Sequence, residues 1–235
     1  MRHRKTRRSC MRSRGLCSLL ALVAAVVAAP CTSVAAGDCA NQIADRIDHR
    51  YAKVSDLSAH FEQTTRRVAL GGPGGDAIVA HGDVVFAKPG KMRWSYQSPE
   101  PSLVVSDGAT LWIYDPKARE VQKLPLVAGY LSAAGVQFLL GEGKLQDEFR
   151  MTASGCGDPV VTLGLTPKRE AQYERLELRV DRGSAAVRET TVVDLFGNRT
   201  TIVFDELREN TKPVASSFTF TPPEGVRVLS VPIAP

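Results

Sequence analysis

The chain is poor in the residues that catalytic and metal sites need. It has four histidines among its 235 residues, and His49, His60 and His81 lack metal-ligand spacing with each other or with a cysteine. No H-E-x-x-H motif and no G-x-S-x-G nucleophile motif occurs. We therefore predict no enzyme, no metal site and no cofactor, although a catalytic triad assembled from distant positions stays open as an alternative.

Long apolar runs are also lacking, apart from the segment Leu16 to Ala29, which is too short to cross a bilayer comfortably. Seven Lys or Arg and no acid precede it, and Val34-Ala-Ala36 follows it. This order is typical of a secretory signal peptide. We predict a signal peptide over residues 1–36, cleaved near Ala36, and an exported domain over residues 37–235. An N-terminal anchor is the alternative, and the choice between Sec and twin-arginine export stays open.

The excess of basic residues disappears with the signal peptide. The whole chain has 30 Lys and Arg against 25 Asp and Glu. Without the seven basic residues of the signal, 23 basic and 25 acidic residues remain, so the net charge of the exported domain is −2. Nucleic-acid binding therefore has no support in the charge of the mature chain.

Cysteines are scarce in the exported domain. Three of the five cysteines lie in or beside the signal, which leaves Cys39 and Cys156. Two cysteines in an exported chain most simply form one disulfide, and two free thiols are the alternative. Neither Cys31 nor Cys39 follows a lipobox, so we expect a soluble domain without a lipid anchor.

The remaining pattern predicts an antiparallel α+β domain. Ile43, Ile47 and Tyr51 recur every four residues and predict a helix from Asp38, as its N-cap, to about Ser55. Ten or so short alternating segments then predict strands, and Leu131 to Leu140 is a second helix candidate. Ser216 to Thr221 is expected to be the last strand. A packed barrel containing two helices and a curved sheet covered by helices are both compatible with this pattern.

The central segment contains both tryptophans. Met92, Trp94 and Tyr96 alternate with polar residues, which predicts one large apolar face. Asp107-Gly108 between two apolar runs predicts a hairpin. The strings KPGKMRW (88–94), VVSDGATLWIYDP (104–116) and FTFTPPEGV (218–226) resemble the periplasmic outer-membrane lipoprotein carrier proteins, the LolA family.

The resemblance implies a single-domain, incompletely closed antiparallel β-barrel, that is a curved sheet, with a helical lid over an apolar cavity. It implies a monomeric periplasmic carrier that takes acyl chains of lipoproteins from an inner-membrane lipoprotein-releasing ABC transporter to an outer-membrane acceptor. A periplasmic module that senses lipid or lipoprotein and regulates a protein partner is the alternative. The expected sheet side of the cavity consists of Val84, Phe86, Met92, Trp94, Leu103, Val105 and Phe204, and the expected lid side of Ile43, Ile47, Phe138, Leu139 and Leu140.

Lys88 holds the position at which the family usually has an Arg thought to latch the lid to the sheet. Because Lys carries a point-like ammonium and Arg a planar fork of donors, we expect a looser latch here. A solvated lysine at the end of a strand is the alternative for this residue.

Overall fold

A computed structural model describes residues 36–68, 77–126 and 143–230. The first helix, α1 (Ala36–Tyr51), carries its buried side chains every three or four residues, because 3.6 residues per turn place these positions on one side. Asp38 lies in the first turn of α1 and does not precede the helix as the predicted cap would.

Twelve strands and one short helix follow α1 in the described part of the chain. In order they are β1 (Asp56–Arg66), β2 (Ala77–Ala87), β3 (Lys91–Ser98), β4 (Ser102–Asp107), β5 (Thr110–Asp115), β6 (Glu120–Pro125), α2 (Leu145–Glu148), β7 (Phe149–Ser154), β8 (Val160–Pro167), β9 (Tyr173–Asp181), β10 (Val187–Asp194), β11 (Arg199–Glu209) and β12 (Arg227–Ser230).

All twelve strands form one curved sheet in the order β12-β6-β5-β4-β3-β2-β1-β11-β10-β9-β8-β7. Neighbours are antiparallel except β12, which pairs in parallel with β6. The two edge strands, β12 and β7, are not paired with each other in this order. The expectation of an incompletely closed antiparallel barrel with a helical cover is confirmed.

Helix α1 packs on the inner face of this sheet, mainly against β7. Its buried residues join the inner side chains of the strands in one hydrophobic core. The helical residues that take part are Cys39, Ala40, Ile43, Ala44, Ile47 and Tyr51. The predicted disulfide is present between Cys39 and Cys156 and connects the first turns of α1 to the β7–β8 turn.

The prediction that Leu103 and Val105 lie on the inner face is wrong. Trp94 pairs across the sheet with Val104, whereas Leu103 and Val105 pair with Ser95 and Arg93. Directly paired residues share one face of a sheet, and consecutive residues alternate between faces. Val104 is therefore the inner residue of β4, and Leu103 and Val105 lie on the outer face.

The predicted strand from Ser216 to Thr221 is also wrong. This stretch begins as a 3-10 turn, Ala215–Phe218, which lies against β3 and β4. The guanidinium of Arg93 donates to the carbonyl oxygen of Ser217, and Phe218 is buried. The segment crosses strands that are already paired on both sides, so its backbone has no free strand edge to join.

The helix predicted from Leu131 to Leu140 lies outside the described residues. Phe138, Leu139 and Leu140 belong to it, and their predicted place on the lid side of the cavity stays a prediction. No helix in the ranges that the structure describes is long and apolar enough to cross a bilayer.

Candidate functional site

An aromatic cluster forms the middle of the inner face. The ring centroid of Trp94 lies 4.8 Å from that of Phe61, 5.6 Å from Phe86 and 6.5 Å from Phe204. Phe61 also meets Tyr96 edge-on at 5.0 Å. Edge-to-face contacts of this kind stabilise beyond the area that they bury.

Gly82 makes room for this cluster. It lies opposite Phe61 in the sheet. A Cβ atom at Gly82 would lie 2.1 Å from the carbonyl oxygen of Ser95 and 2.9 Å from the Phe61 ring. A larger residue at this position would therefore clash with both the neighbouring strand and the phenyl ring.

The residues of the predicted cavity are packed together and closed to solvent. Ile47 is 1% exposed, Trp94 4% and Ile43 5%. Val84, Phe86, Met92 and Phe204 are buried to the same degree and belong to the same core. In this conformation these side chains contact other protein side chains, so an apolar ligand enters only if α1 or the cluster moves.

Polar side chains also stand among the apolar residues of the inner face, and Tyr96 and Thr190 are two of them. The phenol of Tyr96 donates to Oε1 of Gln63 at 2.9 Å. Thr190 pairs with the core residues Leu178 and Ile202, and its buried hydroxyl has no hydrogen-bond partner among the described residues. A ligand oxygen on the inner face could form a hydrogen bond with either of these two hydroxyl groups.

Burial raises the pKa of Tyr96 from 10.0 to about 12, because the anionic phenolate is costly away from water. Between pH 10 and 12 the folded state therefore keeps a proton that the unfolded state has lost. The contribution of neutral Tyr96 to the free energy of unfolding is fully present below pH 10 and is lost as the pH rises toward 12. We expect the difference in 295-nm absorbance between the wild type and Tyr96→Phe to have its midpoint near pH 12. A midpoint near pH 10, with folded circular dichroism, would contradict this burial.

The C-terminal end of α1 is held by polar contacts to the sheet. Arg50 donates to the Glu209 carboxylate at 2.6 Å, and the Tyr51 hydroxyl accepts from the Val187 backbone N–H at 3.1 Å. One turn earlier, Arg46 donates to the carbonyl oxygens of Arg182 and Gly183 at 2.5 and 2.6 Å. Together with the disulfide, these contacts hold α1 closed.

Lys88 contacts the last carbonyl of α1. Its Nζ donates to the Tyr51 carbonyl oxygen at 2.5 Å, where the negative end of the helix dipole favours a cation. Partial burial lowers the pKa of the ammonium. The backbone N–H of Lys88 also donates to the Ser55 carbonyl oxygen, between α1 and β1, at 2.9 Å. The structure thus places the ammonium of Lys88 against the C-terminal end of the covering helix.

Two open clefts among the described residues are lined mainly by charged and polar residues and do not open into the aromatic cluster. One of about 490 Å³ lies between the outer side of α1 and the β9–β10 turn, and its lining includes His49, Lys53 and Glu209. No cluster of described residues has the donors to hold a metal ion.

The predicted cavity lining left out Phe61, Val104 and Thr190, which all lie on the inner face. Phe61 was detectable, since it continues the alternation of Leu57 and Ala59 along β1. Val104 and Thr190 carry no local signal, because the pairing register alone decides their face.

Known proteins resemble this chain over most of its length. The model of the family described as "Outer membrane lipoprotein carrier protein LolA" matches residues 52–221. An outer-membrane lipoprotein carrier protein of Chromobacterium violaceum is 32% identical over 84% of this chain and 94% of its own. One from Cupriavidus pinatubonensis is 33% identical over 93% of this chain and 99% of its own length. Among solved structures, a conserved protein of Thermus thermophilus is 12% identical, covers 82% of this chain and 99% of its own, and has a TM-score of 0.50. The chain belongs to the outer-membrane lipoprotein carrier family, LolA.

Proposed function

We propose that the protein is a periplasmic carrier that binds the acyl chains of lipoproteins and takes them from the inner to the outer membrane. The observation that carries the proposal is the continuous apolar inner face beneath α1 in a chain of this family. The proposal includes export by the signal peptide of residues 1–36 and cleavage near Ala36. An inner-membrane lipoprotein-releasing ABC transporter and an outer-membrane acceptor are the partners that it requires.

The energetics require such a face. Each CH₂ group moved from lipid to water costs about 0.8 kcal/mol, so a chain of ~16 carbons exposes roughly 12 kcal/mol of unfavourable free energy. A carrier must replace most of this with apolar contacts of its own. The cluster around Trp94 and Met92 offers rings and a flexible thioether that repack around chains of different shape.

Loading requires the closed core to open, and the contacts of α1 suggest which end moves. The Cys39–Cys156 bond fixes the N-terminal part of the helix covalently to the β7–β8 turn. The C-terminal end is held by Lys88, Arg50 and Tyr51 through noncovalent contacts. We infer that α1 pivots about the disulfide and that its C-terminal end rises from the sheet.

Lys88→Met is expected to loosen this end of α1. The variant keeps the length of the side chain but loses one charge-assisted hydrogen bond, which contributes about 1.5–3 kcal/mol when partly buried. The closed state then becomes less favoured. We expect faster uptake and slower release of an acylated peptide, several-fold each, in stopped-flow fluorescence.

Lys91→Met is the matched control, since Lys91 lies in the next strand and makes no described contact with α1. Equal rates for wild type and Lys88→Met would remove the latch role and leave Lys88 as a solvated lysine.

The function itself is tested by a release assay. Inner-membrane vesicles carrying a labelled lipoprotein and the ABC transporter are incubated with ATP and the mature protein. A carrier releases the lipoprotein into the supernatant as a one-to-one complex. If the lipoprotein stays in the vesicles while an acylated peptide still binds the protein, the sensing module is the correct function.

A further inference from the structure

We propose that the β10–β11 hairpin tip binds the surface of an anionic phospholipid bilayer. In this arrangement Leu195 and Phe196 enter the interfacial layer, and Arg66 and Arg67 contact headgroup phosphates. No step of lipoprotein carriage requires this contact, so the inference goes beyond the proposed function.

The tip exposes apolar side chains that the fold does not need to expose. Phe196 is 85% exposed and Leu195 63%, and Val68, two residues past the end of β1, is 55% exposed. Phe196 is the most exposed of the large hydrophobic residues that the structure describes. We call Val68, Leu195 and Phe196 the tip patch.

The tip patch is held in a defined conformation. The Asp194 carboxylate accepts from the backbone N–H groups of Phe196 and Asn198 at 2.9 and 2.8 Å and from the Asn198 side-chain amide at 2.7 Å. Gly197 closes the turn with a φ of +84°. Asn198 Oδ1 in turn accepts from the Val68 N–H at 2.9 Å and ties the tip to β1. Little conformational entropy is therefore left to lose when the tip binds.

Basic residues stand directly behind the tip patch. Arg66 lies opposite Arg199 in the β1–β11 pair, and like charges at directly opposite positions destabilise a sheet. Arg199 is compensated by Glu177 at 2.8 Å. Arg66 and Arg67 are exposed and form no ion pair within the described part of the chain. An anionic partner would compensate the charge of Arg66 and Arg67.

A bilayer surface matches both the apolar tip patch and the basic residues that lie behind it. An interfacial segment places aromatic and aliphatic side chains among the upper acyl groups, while arginines behind it reach the phosphates. The exported domain has a net charge of −2, from 23 basic and 25 acidic residues. Attraction to an anionic membrane must therefore come from a local basic site and not from the charge of the whole domain.

Flotation with lipoprotein-free vesicles tests the proposal. The mature, disulfide-bonded protein is mixed with vesicles of phosphatidylcholine alone or with one third phosphatidylglycerol. We expect binding to the anionic vesicles only, weakening as salt rises. Phe196→Ser should reduce the partition coefficient about tenfold, and Arg66→Gln and Arg67→Gln about fivefold each.

Two variants away from the tip, one near the far end of β11 and one beyond it, are the controls. Arg208→Gln removes an exposed arginine, and Val214→Ser removes an apolar side chain that is 68% exposed; both should bind like the wild type. The proposal is overturned if the wild type does not float with anionic vesicles, or if Phe196→Ser binds as the wild type does. It is also overturned if Phe196→Ser changes only transfer from the ABC transporter, because the tip then contacts a protein. Because the flotation vesicles contain no lipoprotein, the flotation results do not depend on carriage.

Discussion

Removal of the Cys39–Cys156 disulfide is expected to lower the free energy of unfolding by roughly 4–5 kcal/mol. The bond joins residues 117 positions apart, and closing so long a loop removes much of the conformational freedom of the unfolded chain. Such a loss is a large part of the stability of an ordinary domain. Urea unfolding of the wild type and of Cys39→Ser/Cys156→Ser, followed by circular dichroism, measures it.

Reduction with dithiothreitol separates the effect of losing the disulfide from the effect of substituting the two cysteines. It should shift the urea midpoint of the wild type to that of the double variant and leave the double variant unchanged. If α1 pivots about this bond, the reduced protein should also lose retention of an acylated peptide, because the disulfide no longer fixes the N-terminal end of the helix to the sheet. Unchanged retention after reduction would mean that the N-terminal end of α1 takes no part in closing the site.

Trp94→Ala is expected to lower the free energy of unfolding by about 3–5 kcal/mol. The indole contacts Phe61, Phe86 and Phe204, so its removal leaves a cavity in the centre of the inner cluster. In the release assay we expect at least a tenfold loss of soluble lipoprotein complex, measured at a temperature where the variant is folded.

Trp112 provides the matched control for Trp94. It pairs with Val105 on the outer face and is only half-buried. Trp112→Ala should therefore cost less stability and leave complex formation intact. If both variants lose complex formation equally after correction for folding, the inner face is not the acyl site. Trp94→Phe, which keeps an aromatic ring, should recover part of the activity.

Local alternation was sufficient to predict most strands and much of the inner face. Val84, Phe86, Met92 and Trp94 follow the period of two along β2 and β3, because successive side chains of a strand point to opposite faces. The same alternation explains why Leu103 and Val105 were predicted on the wrong face. Pro99 and Pro101 interrupt the pattern between β3 and β4, and a shift of one residue in register moves every side chain to the other face.

The sequence by itself determined the antiparallel class, the cysteine pair and the tryptophan on the inner face, since each depends on composition or on neighbours along the chain. The signal peptide of residues 1–36 stays a prediction. Only the tertiary structure decided that Lys88 meets the Tyr51 carbonyl, that β12 pairs with β6 and that Phe196 stands exposed beside Arg66. These contacts join residues far apart in the chain, and their geometry depends on the register and curvature of the whole sheet.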